Sequence, residues 1–139
     1  MKRVFLDTNI LLDLVQHREN YIFAVNILDE AYNGQIEVFT STLSFANIAY
    51  ILRKEPQAIL YRILGMLSED INILPLLPNH ISSAINQPAP DFEDMLQYQC
   101  AKSEGCDIII TNNKKDFEPI SALPLMTSQE FISSINKVV

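Results

Sequence analysis

Apolar residues along this chain alternate between short unbroken runs and stretches of helical spacing. Val4, Phe5 and Leu6 form a run without polar interruption, as a strand buried on both faces requires. From Thr8 to about Gln16, Ile10, Leu11, Leu12, Leu14 and Val15 return at the spacing of a helix. Asn20 is placed to cap a second helix, in which Ile22, Phe23, Val25, Ile27, Leu28 and Ala31 make a broad apolar face. Asn33-Gly34 then ends it. Glu37 to Phe39 reads as a second strand. Ser41, Thr42 and Ser44 offer caps for a third helix carrying Phe45, Ile48, Ile51 and Leu52.

Pro56 suits the start of a fourth helix, with Ile59, Leu60, Ile63, Leu64 and Leu67 on its inner face. Ile71 to Leu74 is a third strand, ended by Pro75 and Pro78, and a fifth helix covers about Asn79 to Asn86. After the rigid Gln87-Pro88-Ala89-Pro90 connector, Asp91 caps a sixth helix that Gly105 closes. Asp107 to Ile110 is a fourth strand, Thr111 to Asp116 a polar loop, and Leu123 to Met126 a short fifth strand. Ser128 is expected to cap a last helix to about Asn136. Strands that alternate with helices predict an α/β chain with a mainly parallel sheet of four to five strands, covered on both faces. No repeat or interdomain linker interrupts residues 1–139, which read as a single domain.

Composition narrows the chemistry. Hydrophobic residues make up 48% of the chain, enough for a folded core without metal or disulfide staples. With three glycines, no glycine-rich phosphate loop is available. No apolar run approaches bilayer length, so no membrane role is expected. Cys100 and Cys106 lack a metal-ligand pattern and read as reduced thiols of a cytoplasmic protein. His17 and His80 stand in polar contexts and read as surface residues. The net charge of −7 is not that of a non-specific nucleic-acid binder. It either opposes such a role or serves in part to chelate a divalent cation, and it suits a basic protein partner.

Acids at strand ends carry the functional signal. Asp7 follows directly on the first buried strand, where open α/β sheets bind ligands. The plainer role for Asp7 is a helix cap. On the sixth helix Asp91 and Asp94 share a face, with Tyr98 one turn on. Phe92, Met95, Leu96 and Cys100 are expected to pack inward, and Glu93 to meet solvent. A cap explains Asp91 well and Asp94 less well. The fourth strand breaks into Thr111-Asn112-Asn113-Lys114-Lys115-Asp116, which repeats the opening design. If the first and fourth strands are neighbours, Asp7, Asp94, Asn113 and Asp116 converge. Crowded carboxylates without His or Cys select Mg²⁺ or Mn²⁺. Lys114 and Lys115 are the nearest candidates for phosphate contacts.

Asp7-Thr8-Asn9-Ile10 after an N-terminal strand, Asp94 early in a helix, and Ile109-Ile110-Thr111 before a polar loop together resemble the PIN-domain family. Ser41 to Asn47 is similar to that family's segment leading to a helical acid, so the likeness spans essentially the whole chain. The resemblance implies an α/β/α sandwich and hydrolysis of RNA phosphodiesters with Mg²⁺ or Mn²⁺. It further implies that the chain is like the toxin half of a toxin–antitoxin pair, with a small antitoxin and a homodimer as partners. Carried over by position, Asp7 and Asp94 match two of the family's acids, while the other two fall on Asn47 and Asn113. Asp116 or Asp91 would then supply the missing carboxylate to the metal. Asn9 and Thr111 would orient Asp7 or a water in the site.

Two other classes compete. A PIN-like domain that has lost catalysis and binds RNA or protein is supported by the two asparagines. An aspartyl phosphotransferase is permitted by Asp7, but such enzymes place a second Asp two residues on, where Asn9 stands.

Overall fold

The computed structural model describes residues 1–136; the last three residues of the expected domain lie outside the described residues. The chain runs β1 (Lys2–Leu6), α1 (Thr8–Val15), α2 (Tyr21–Tyr32), β2 (Ile36–Ser41), α3 (Thr42–Ile51), α4 (Gln57–Asp70) and β3 (Asn72–Leu74). It continues through α5 (Pro78–Asn86), α6 (Phe92–Ser103), β4 (Ile108–Ile110), α7 (Lys114–Phe117), β5 (Leu125–Met126) and α8 (Ser128–Asn136). All strand pairs are parallel, in the order β3-β2-β1-β4-β5.

Side chains leave a strand on alternate faces, and here each face has its own core. Val4 and Leu6 of β1, Val38 of β2, and Ile108 and Ile110 of β4 pack with Ile10, Leu11, Ile27, Ile48 and Leu67. Phe5, Phe39 and Ile109 pack on the other face with Met95, Leu96, Cys100 and Phe117. This is why the strands carry unbroken apolar runs: neither face meets water, which makes a three-layer α/β/α sandwich.

The strand order sets the location of the site. From β1 the chain moves outward through β2 and β3, then returns to pair β4 with the free side of β1. The crevice beyond the strand ends at that reversal is where open α/β sheets bind ligands. Thr40 Oγ1 donates to the Leu6 carbonyl (3.0 Å) and the Asp7 amide donates to the Ile110 carbonyl (3.1 Å), so β1 is held on both sides up to its last residue.

Several local expectations change. The polar loop after β4 contains the short helix α7, stabilised by burial of Phe117 against α6. Thr127, not Ser128, caps α8. Its Oγ1 accepts from the Glu130 amide (3.1 Å) while Glu130 Oε1 accepts from the Thr127 amide (2.9 Å), a reciprocal capping box. His80 is buried rather than superficial, because its Nδ1 accepts from the Leu77 amide at the start of α5 (3.0 Å). Phe92 turns outward, 47% exposed, since it lies in the first turn of α6 before that helix meets the sheet. Among the described residues no helix is long and apolar enough to cross a membrane.

Candidate active site: an acidic hollow beyond β1 and β4

Asp7 is the first residue past β1 and occupies the N-cap position of α1. Its side chain does not cap that helix. It is 5% exposed and accepts at Oδ2 from Thr111 Oγ1 (3.0 Å), the residue at the corresponding end of β4. Thr111 Oγ1 also accepts from the Asn113 amide (3.0 Å), which fixes the hydroxyl's direction. Burial pushes the Asp7 carboxyl up to about 6, against the opposing effect of the Thr111 hydrogen bond.

Asp91 caps α6 by accepting at Oδ1 from the Asp94 amide (3.0 Å), as its position predicts. Asp94 stands one turn in, partly buried. Burial, followed by the charges of Asp91, Asp7, Asp116 and Glu93, raises it to about 7. Four other carboxylates thus act on one group. With Thr8, Asn9, Asn47 and Gln97, the five acids line one hollow of about 310 Å³, whose remaining walls are Leu12, Tyr50 and Ile51.

Most of the expected site residues are brought together here: Asp7, Asn9, Asn47, Asp91, Asp94 and Asp116 line the hollow, and Thr111 holds Asp7 from beneath. Asn113 is the exception. It is exposed and lines an adjoining surface hollow with Lys114, Lys115 and Glu118; Asp116 borders both hollows and is the one residue of α7 that reaches the acids. Glu93 is exposed, as expected, and also borders the hollow: its Oε2 accepts from Asn47 Nδ2 (3.3 Å), so a carboxylate from α6 sits against the amide of α3. Lys114 is paired with Glu130 (3.0 Å), and neither lysine lines the acidic hollow.

Gln97, unremarked in the sequence, ties the site together. It is 3% exposed, accepts at Oε1 from Ser41 Oγ (2.7 Å) and donates from Nε2 to Ser44 Oγ (3.0 Å) and Thr8 Oγ1 (3.4 Å). The Thr8 and Ser44 hydroxyls are 2.7 Å apart. One amide therefore joins α1, the β2–α3 junction and α6, three residues along the helix from Asp94. Among the described residues every buried side-chain nitrogen and oxygen has a partner. The i+3 spacing from Asp94 was the signal for Gln97; its partners lie more than 50 positions away in sequence.

Among the described residues, no three His, Cys, Asp or Glu side chains are close enough to enclose an ion unaided. The carboxylates instead surround the hollow, and their mutual repulsion adds to burial in raising Asp94. An all-oxygen, over-acidic ring fits a hard cation that keeps part of its water shell.

A family profile described as PIN domain matches residues 3–115, which contain this entire hollow except Asp116. The chain belongs to the PIN domain family. It is 28% identical to Ribonuclease VapC1 of Aquifex aeolicus over 144 residues, covering 97% of this chain and 96% of that protein. The PIN fold is shared with solved structures. VapBC2 from Rickettsia felis, bound to a DNA fragment from their promoter, matches with TM-score 0.69 and 20% identity over 90% of this chain and 98% of that one. VapBC-1 from nontypeable Haemophilus influenzae matches with TM-score 0.68 and 21% identity, over 91% and 98% respectively. PIN-domain ribonucleases of the VapC type generally depend on a divalent metal ion. The thiols lie apart from this chemistry: burial pushes Cys100 up to about 11 and Cys106 to about 12, so both stay protonated and unreactive.

Proposed function

We propose that this PIN domain, a single unit over residues 1–139, is a cytoplasmic metal-dependent ribonuclease and the toxin half of a toxin–antitoxin pair. The observation that carries the reading is the gathering of Asp7, Asp91, Glu93, Asp94 and Asp116 around one hollow at the meeting of β1 and β4, where burial and the four neighbouring carboxylates raise Asp94 to about 7. A fold does not maintain such a repulsion without use for it, and an Mg²⁺ or Mn²⁺ ion is its natural counter-charge. The 28% relative named as a ribonuclease supports the activity, and the VapBC structures support a small antitoxin as partner.

Asp7, Asp94 and Asp116 are the residues to hold the ion, with Asp91 beside them. When bound, the ion supplies positive charge to the scissile phosphate and acidity to an attacking water. Thr111 orients the Asp7 carboxylate, and Asn9 contributes a neutral polar group beside the acids. Asn47 and Asn113 stand where the family pattern places acids. Glu93, held by Asn47, returns one negative charge to that corner from a different helix.

The competing reading is a domain that binds without cleaving, favoured by the neutral Asn47. Cleavage of RNA in Mn²⁺, abolished by EDTA and by Asp94→Asn, supports the nuclease. A metal-induced rise in Tm lost in Asp7→Asn, with RNA left intact, would assign the binding module instead.

A further inference from the structure

The non-polar lining of the hollow has no part in holding a metal. It consists of Leu12 from α1 and Tyr50 and Ile51 from the last turn of α3. Tyr50 is 65% exposed and Ile51 43% exposed, and both stand at the edge of the acidic hollow. Tyr32 and Tyr61 are comparably exposed, so what sets Tyr50 apart is its place at the lip of the hollow. The ring is also held in place. The Arg53 guanidinium lies over it, 4.1 Å from the centroid, and Arg53 Nη1 donates to the Tyr50 carbonyl (2.8 Å). That hydrogen bond locks the guanidinium over one face, while the residue remains largely open to solvent.

We infer that Tyr50, braced by Arg53, is the stacking platform for the unpaired base next to the scissile phosphate. The inference rests on the ribonuclease reading of the acidic hollow and adds to it the residue that seats the base. A nucleotide is charged at its phosphate and apolar on its base faces. The hollow has the same division, with acids awaiting a cation at one part and an aromatic at another. Bases stack on an aromatic side chain only when splayed out of a helix. Arg53 also adds a cation beside the ring, where the lysines after β4 are turned away. Tyr50 is a positioning residue here: it contacts substrate away from the reacting atoms, and stacking tolerates any base.

The test uses a short unpaired oligoribonucleotide carrying 2-aminopurine, whose fluorescence is quenched by stacking; the chain has no Trp to interfere. Binding is measured with wild type, Tyr50→Phe and Tyr50→Ala, and cleavage of the same oligonucleotide in Mn²⁺ gives KM and kcat. Wild type and Tyr50→Phe should quench. Tyr50→Ala should lose quenching and bind about 5- to 100-fold more weakly, the loss of one base–aromatic stack, with KM raised and kcat little changed. An abasic site at that position should weaken wild type by a similar factor and Tyr50→Ala no further. Equal affinity and quenching for wild type and Tyr50→Ala overturn the platform, and intact cleavage in both then leaves the ribonuclease standing. Tyr50-dependent binding without cleavage overturns the ribonuclease and keeps the platform. Unchanged RNA binding with an altered oligomeric mass for Tyr50→Ala assigns the ring to a protein contact and also overturns the proposal.

Discussion

Thr111 Oγ1 donates to Oδ2 of Asp7 across 3.0 Å, joining the ends of two strands that lie 104 positions apart in sequence. Both residues are buried, so the bond stands in place of the water that the Asp7 carboxylate lost on folding. Thr111→Val removes the donor and the acceptor for the Asn113 amide while keeping the shape. It should cost about 1–3 kcal/mol in urea denaturation, with Thr111→Ser close to wild type. The same variant should raise the Asp7 carboxyl further and move the pH at which metal binds upward.

Asp7 makes the metal-free protein sensitive to pH in an unusual direction. Its folded value of about 6 lies above the ordinary 3.8, so the folded chain binds the extra proton between these limits. Stability from this group is therefore complete below about pH 4 and is lost as the pH rises through 6. The difference is on the order of 2–3 kcal/mol at most. In EDTA, Asp7→Asn should be more stable than wild type at pH 8 and lose that advantage near pH 4, as followed by thermal denaturation. No gain at pH 8 would mean that the carboxylate is better solvated than its burial implies.

Metal affinity should follow the opposite course. Asp7 at about 6 and Asp94 at about 7 must lose their protons to bind a cation, so Mn²⁺ affinity should climb steeply between pH 5.5 and 7.5. Calorimetric titration at several pH values measures this, and Asp94→Asn should abolish the upper part of the climb. A pH-independent affinity would remove both acids from the ligand set.

Glu93 and Asn47 can be separated by substitution. Glu93→Gln removes a carboxylate from the hollow and should weaken Mn²⁺ binding and cleavage by about tenfold, as is usual for a supporting group near a metal. It should leave the melting temperature of the metal-free protein unchanged or higher, since it relieves repulsion on Asp94. Cleavage at the wild-type rate in Glu93→Gln would leave Asn47 alone at that corner.

Gln97→Leu tests the clamp. The substitution leaves the Ser41 hydroxyl without its acceptor, while the Thr8 and Ser44 hydroxyls lose the amide donor and keep each other. A loss of about 1–3 kcal/mol is expected, the cost of leaving a buried donor unpaired. Metal affinity should fall with it, since α6 carries both Gln97 and Asp94.

The layers of this protein were written in its periodicities. Unbroken runs such as Ile108 to Ile110 can satisfy two cores at once only as strands, and helical spacing of Ile10 to Val15 or Ile59 to Leu67 defines the covering layers. Asp7, Asp91 and Asp94 were legible as a set because two of them follow or cap an element and the third shares a helix face with Asp91, heading toward the core. Pairing was not legible. The parallel contact of β1 with β4, the turn of α7 that brings in Asp116 and leaves Asn113 outside, and the capture of Glu93 by Asn47 all join distant segments. So does the amide of Gln97. Local patterning sets which face of an element seeks burial, whereas the partner of a polar side chain depends on how whole elements pack. Desolvation, which lifts Asp7 and Asp94, likewise comes into being only when those elements close over the carboxylates.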